Sequence, residues 1–202
     1  MKPIKKLFRK RIDIYAPFGI FLIFVPVNLI WRIPKEIIPA LYIAGIGLVA
    51  IGALFRFWSA RYCGKKLTHS GTKKFVTTGP YSVFRNPLYV ANITITLGFI
   101  LFAHFWFLAP FFLIYSLIRY TMIVKREEHS LESAFGDEYR EYKRNVRRWL
   151  PNPIRFFRIK NEPLYGWGKV IKREAPHTII ASIALVFLFF KNILLDVFVR
   201  FL

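Results

Sequence analysis

Two short stretches of this chain hold the side chains that could do chemistry together: GPYSVFRNPLY, Gly79 to Tyr89, and the pair Glu127 and Glu128. Pro87 restricts Asn86 to extended backbone and fits the first turn of a following helix, so Asn86 falls near an N-cap. Tyr81, Arg85 and Tyr89 then surround a positive helix end, which suits an anion. A capped helix with interfacial tyrosines accounts for Pro87, Asn86 and Tyr89, but not for the whole arrangement. The two glutamates follow directly on an apolar run, in a chain with only 11 Asp+Glu. Standing alone they would merely offset Lys125 and Arg126. At the membrane edge of a helix bundle, a carboxylate can also hold an ammonium or another cationic ligand.

Other constellations carry no comparable chemistry. His69, His104, His129 and His177 show no metal-ligand spacing, and nothing resembles a phosphate loop or a Ser-His-Asp set. His129, near several acids, reads as a surface histidine. Cys63 is the only cysteine, which excludes an intrachain disulfide and a Cys-based zinc cluster. No metal is expected. GIGLVAIGALF, Gly45 to Phe55, has the wrong spacing for a dinucleotide loop and lies in an apolar run. Its small residues Ala44, Gly45, Gly47, Gly52 and Ala53 instead predict close approach by another helix.

The elements that must position these residues are membrane helices. Of 202 residues 55% are hydrophobic, and 31 Lys+Arg give a formal net charge of +20. Such a charge fits nucleic acid or an anionic membrane surface. Five apolar segments exclude nucleic acid, because a soluble protein could not leave that much apolar surface in water. Ile14 to Trp31 and Ile37 to Trp58 are each long enough to span and form a hairpin through RIPKE. From Tyr89 to Val124 the only charge is Arg119. As one helix this run would reach about 54 Å, too long for a single crossing, so it should fold near AHFWF into two short spans. Thr178 to Val199 forms the last segment, with Lys191 as a charge that must pair or snorkel. The basic start KPIKKLFRKR reads as the flank of a retained first helix.

The cations cluster in alternate connections: Lys2 to Arg11, Arg61 to Arg85, and Lys125 to Arg173. The positive-inside rule puts these three on the cytoplasmic side, giving an internal N-terminus, five crossings and an external C-terminus. If the last segment only lies in the interface, the C-terminus stays inside. Beyond the fourth span the helical face continues through Leu131, Ala134 and Phe135. Gly136 suits a C′ position and Asp137 the N-cap of a further basic helix ending before Pro151. The expected organisation is all-α: a polytopic transmembrane bundle of about five segments. Residues 1–58 would form a basic segment and hairpin, 59–151 a core, and 152–202 a basic linker and last membrane segment.

TTGPYSVFRNPLYVAN, followed about forty residues later by EEHSLESAFGDEYREYKRNVRRWLP, resembles integral-membrane methyltransferases of the isoprenylcysteine carboxyl methyltransferase and phospholipid methyltransferase superfamily. The shared pattern is G-x-Y-x-x-x-R-[HN]-P-x-Y, then E-E-x-x-L, F-G-x-x-Y-x-x-Y and a terminal L-P, over roughly Lys73 to Pro151. The resemblance implies that S-adenosylmethionine is held between the membrane helices and cytoplasmic C-terminal helices. It carries cofactor contacts to Lys73, Lys74, Phe75, Val76, Tyr81, Asn86, Pro87, Leu88, Tyr89 and Glu127.

Two positions depart from the pattern. Asn86 stands where many relatives have His, which keeps a hydrogen-bonding group that cannot titrate. Ile123 stands where relatives acting on a prenylcysteine carboxylate have an arginine, one turn before the glutamate. Arg119 and Arg126 are the nearest substitutes, with Arg119 the expected substrate contact. The expected activity is methyl transfer to a lipophilic acceptor from the bilayer, a lipid head group or an isoprenylcysteine-like carboxylate. Glu128 is the expected head-group contact or base, and Arg85 the residue that stabilises the loop or a cofactor anion. The alternatives are an NADPH-dependent reductase of the sterol reductase type, with Arg140 to Arg148 holding phosphate, and a non-catalytic lipid-binding protein. The sequence is silent on oligomeric state.

Overall fold

The computed structural model of the chain describes residues 33–62, 75–151 and 163–200, together with residues 156 and 159. The expected span Ile14 to Trp31 and the loop residues Lys73 and Lys74 lie outside the described residues. Among the described residues there are four α-helices and no strand: α1 (Ile38–Tyr62), α2 (Pro87–Phe102), α3 (Ala109–Asn145) and α4 (Trp167–Arg200). The stretches Lys35–Tyr62, Trp106–Asn145 and Trp167–Leu194 are long and apolar enough to cross a membrane, and α2 is a shorter apolar helix. Ile43, Leu54, Phe111 and Leu194 are between 67% and 74% exposed. Side chains of this kind, bare over three helices, need lipid around them.

The α1–α2 hairpin is built on backbone contact. A Cβ placed on Gly45 would lie 2.8 Å from the Phe102 Cβ and 2.9 Å from the Gly98 carbonyl oxygen. One on Gly52 would lie 2.9 Å from the Ile95 nitrogen, and one on Gly98 would lie 2.7 Å from the Gly45 carbonyl oxygen. Glycine therefore lets the two backbones touch. Of the small residues singled out in the sequence, Gly45 and Gly52 make this approach. Gly47 has nothing within 4 Å and Ala44 is exposed.

The run from Tyr89 to Val124 does fold at AHFWF. After α2 the chain turns through His104, at φ 69°, and a 3-10 turn Trp106–Leu108 leads into α3. α3 then continues past the apolar run to Asn145, with a kink at Gly136. Gly136 has φ 54° and ψ −123°. It breaks the helix where expected, but in a glycine-only region rather than the left-handed helical conformation of a C′ residue.

α4 begins at Trp167, earlier than the expected Thr178, and keeps Pro176 inside the helix. Contacts upstream of the proline hold that turn in place, with Glu174 bonded to Arg56 of α1. At the other end Phe189 packs near Tyr42. α4 therefore runs antiparallel to α1 along its length. Lys191 neither snorkels nor stands unpaired in mid-span. Its Nζ donates to the Ala103 carbonyl at 3.5 Å and lies 5.2 Å from the Phe105 ring, while Asn192 Nδ2 donates to the Phe102 carbonyl at 3.1 Å. A cation and an amide thus cover the C-terminal carbonyls of α2, the negative end of its dipole.

Candidate functional site

α2 starts at Pro87, whose missing N–H costs nothing at the first helical position. That start puts Tyr89 in the first turn, facing α3. Its hydroxyl donates to Glu127 Oε1 at 2.9 Å, and its ring lies 4.8 Å from that of Tyr120. The two expected segments, 38 residues apart in sequence, are therefore joined directly. Glu127 is half-buried and lies beyond the apolar run of α3, which ends at Val124. Burial raises its carboxyl pKa above the ordinary value of 4.5; the Tyr89 hydrogen bond opposes this and the neighbouring Glu128 charge adds to it.

Asn86 occupies the N-cap of α2 with φ −131° and ψ 58°, but its side chain makes no capping bond. Its backbone carbonyl instead accepts the N–H groups of Tyr89 and Val90 at 3.2 and 3.3 Å. Asn86 Nδ2 is buried without a hydrogen-bond partner, as is Arg85 Nε. So the expected cap is a backbone turn, and the amide is left with a donor to offer.

Glu128 has a different place from the head-group contact expected of it. It is 5% exposed. Arg148 donates Nε to Oε1 at 3.2 Å and Nη2 to Oε2 at 2.6 Å, and Arg85 Nη1 lies 3.1 Å from Oε1. A carboxylate turned inward and bonded by two guanidiniums is suited to fixing the loop. The Arg85 N–H also donates to the Arg147 carbonyl at 2.9 Å. Glu128, Arg85 and the 146–148 segment thus lock the motif loop to α3 and to the chain beyond it.

The remaining expected residues line the outer side of this lock. Phe75 packs among Phe135, Tyr139 and Tyr142, with ring centroids 5.1 to 5.4 Å away. Tyr142 donates its hydroxyl to the Tyr81 carbonyl at 2.7 Å, so the helix after the Gly136 kink folds back onto the loop. A cleft of about 220 Å³ opens beside Phe75, lined also by Thr77, Glu138, Glu141, Tyr142 and Asn145. Pro87 is buried, and Val76 and Leu88 are half-buried. Arg119 is half-buried on α3, two turns before Glu127. Among the described residues no group of three or more His, Cys, Asp or Glu is placed to hold a metal ion.

Sequence reasoning missed Arg148 as the partner of Glu128, and it missed a second polar group formed by Arg56, Asn92, Tyr120 and Glu174. One signal was available: Arg56 is the only charged residue between Ile37 and Trp58. A lone charge inside a span must have a partner.

The architecture is that of a helical membrane protein whose site lies where one short helix begins and a long one leaves its apolar run. Residues 40–138 match the family model described as phospholipid methyltransferase. The chain is 31% identical over 130 residues to the nickel-cobalt-cadmium resistance protein NccN of Alcaligenes xylosoxydans, covering 64% of this chain and 58% of that one. It is 29% identical over 113 residues to the cobalt-zinc-cadmium resistance protein CzcN of Cupriavidus metallidurans, covering 56% and 50%. An uncharacterized protein of Haemophilus influenzae is 55% identical over 38 residues, 19% of this chain and 60% of that one. The chain thus spans little more than half the length of these relatives. No solved structure matches it.

Proposed function

We propose that this protein is an S-adenosylmethionine-dependent methyltransferase that acts on a membrane-embedded amphiphile, with its site on the cytoplasmic side. The observation that carries this reading is the Tyr89–Glu127 hydrogen bond of 2.9 Å, which joins the two halves of the motif within the stretch that matches the phospholipid methyltransferase family model.

The residues present fit the cofactor. Glu127 offers a half-buried carboxylate to the ammonium, and Asn86 offers a buried, unpartnered N–H to an acceptor atom. Phe75, Val76, Tyr81, Leu88 and Tyr89 supply apolar and aromatic walls. Bound there, S-adenosylmethionine would supply a methyl group on a sulfur that is already positive. The work left to the protein is to position the acceptor and exclude water. Tyr89 orients Glu127, while Glu128 and Arg85 hold the loop that carries Asn86 and Tyr89.

Part of the basic run that a dinucleotide would need is committed elsewhere, which disfavours the reductase. Arg140 pairs with Asp137 at 3.2 Å, Lys143 with Glu132 at 3.0 Å and Arg148 with Glu128. Calorimetry on purified protein in detergent tests the proposal. S-adenosylhomocysteine should bind and NADPH should not, and Glu127→Gln should weaken binding by about 1.5 to 3 kcal/mol through loss of a charged hydrogen bond. Binding of NADPH alone would transfer the reading to the reductase class.

A further inference from the structure

A second polar cluster lies deeper in the bundle. Arg56 sits six residues before the end of α1, Asn92 five after the start of α2, and Glu174 seven after the start of α4. All three are therefore about 8 to 11 Å inside the helix ends that carry the site. Arg56 donates Nε to Glu174 Oε2 at 2.8 Å and Nη1 to Asn92 Oδ1. Glu174 Oε1 also receives Arg173 Nε at 3.1 Å, and Arg173 Nη2 donates to the Ala60 carbonyl. The Glu174 side chain is 7% exposed and that of Arg56 21%.

Three features distinguish this cluster from a structural ion pair. Both Glu174 oxygens are taken, Oε2 by Arg56 and Oε1 by Arg173, so the carboxylate fixes Arg56 along one edge only. Arg56 Nη2 makes no hydrogen bond among the described residues, although the rest of the guanidinium is fixed by Glu174 and Asn92. Finally, Tyr120 lies beside Asn92, and its ring centroid is 4.8 Å from that of Tyr89, the partner of Glu127. The cluster therefore adjoins the cofactor site through one aromatic pair.

We propose that Arg56 is the oxyanion-recognising residue of the acceptor site. Its open edge takes a phosphate or carboxylate oxygen of the amphiphile's head group, so that the atom to be methylated lies toward Tyr120 and Tyr89. This rests on the methyltransferase reading above. It assigns the cation that Ile123 does not provide to a different helix from the one carrying Glu127. It also makes α4, which lies beyond residues 40–138, part of the acceptor site through Glu174. An arginine fixed at two edges suits this task, because its third edge is pre-oriented for an oxyanion.

The test uses the full chain in neutral-detergent micelles, titrated calorimetrically with dodecyl phosphate, dodecanoate and a dodecyl glycoside. The variant is the double substitution Arg56→Gln with Glu174→Gln, which removes the Arg56 guanidinium together with its carboxylate partner and so leaves the net charge of the cluster unchanged. Wild type should bind at least one oxyanion amphiphile more tightly than the glycoside. The double variant should lose that preference by about tenfold or more, as expected for a charge-assisted hydrogen bond. Its affinity for S-adenosylhomocysteine should stay within about twofold. Lys125→Gln, which removes an exposed cation, should change neither. A stronger response to phosphate would mark a phosphodiester-type head group, and a stronger response to dodecanoate a carboxylate; either supports Arg56. Should the double variant not fold, Arg56→Lys, which keeps the charge but not the fork, should still weaken oxyanion binding several-fold. Equal binding of all three amphiphiles by wild type overturns the proposal, as does a preference that survives in the Arg56 variants but is lost in Arg119→Gln. Failure of wild type to bind S-adenosylhomocysteine, with oxyanion binding intact, would instead sink the methyltransferase reading and leave the Arg56 site standing.

Discussion

The two ends of α2 solve the same problem in opposite ways. Every helix leaves donors free at its start and acceptors free at its end. At the C-terminal end, Lys191 and Asn192 arrive from α4 and place donors on the Ala103 and Phe102 carbonyls. At the N-terminal end no carboxylate or hydroxyl among the described residues comes to the backbone. Asn86 makes no side-chain cap, its Nδ2 is left unpartnered, and the nearest carboxylate, Glu127, is bonded to a tyrosine instead. The capped end also leaves Asn192 Oδ1 and His104 Nε2 without partners, so the ends differ in whether side chains reach the helix backbone, not in whether buried polar atoms are left over. A buried polar atom left unmatched costs free energy, so in the proposed cofactor site the Asn86 amide would gain from an acceptor atom of the ligand.

Glu128 offers the largest way to break this contrast, because it is the carboxylate near the open end that has been fully matched. Glu128→Gln leaves Arg85 and Arg148 facing a neutral amide in a buried position, and should cost about 3 to 5 kcal/mol of stability. Thermal unfolding in mild detergent would show this as a large drop in midpoint. A variant as stable as wild type that had lost methyl transfer would instead return Glu128 to the role of base.

Lys191→Ala and Asn192→Ala test the closed end. Each removes a donor from the C-terminal carbonyls of α2 and should lower stability by about 1 to 2 kcal/mol, with S-adenosylhomocysteine affinity unchanged. A loss of affinity in either variant would mean that the far end of α2 also shapes the site, and the contrast between the ends would fail.

How much of this was legible in the sequence follows the range of the interactions. That Tyr89 and Glu127 belong to one region was legible because both fall in one spaced pattern, but their direct hydrogen bond was not. The break at Gly136 was legible because a glycine interrupts a helical face just before Asp137. The turn at AHFWF followed from length alone. What could not be read were contacts between segments with no shared pattern: Arg148 on Glu128, twenty residues on, and Glu174 on Arg56, 118 residues away. Charge counting placed Arg148 in a basic run and could not say which arginine would turn inward. The start of α4 was missed for a related reason. Apolar periodicity begins only after Pro176, and the turn before it is held by polar contacts with α1.

Asn86 gives the smallest expected effect and the finest test of the contrast. If its buried Nδ2 is held for the cofactor, Asn86→Ala should weaken S-adenosylhomocysteine binding by about 0.5 to 1.5 kcal/mol, the net worth of one hydrogen bond. Stability should fall little or rise slightly, since the donor is unmatched in the free protein. Asn86→His keeps a ring N–H in reach of the same place and should stay close to wild type. Calorimetry and unfolding on the same preparations separate the two contributions. If alanine and histidine both leave binding unchanged while both raise stability, the unpartnered amide is a packing defect rather than a prepared donor. The open end of α2 would then rest on Glu127 and Tyr89 alone.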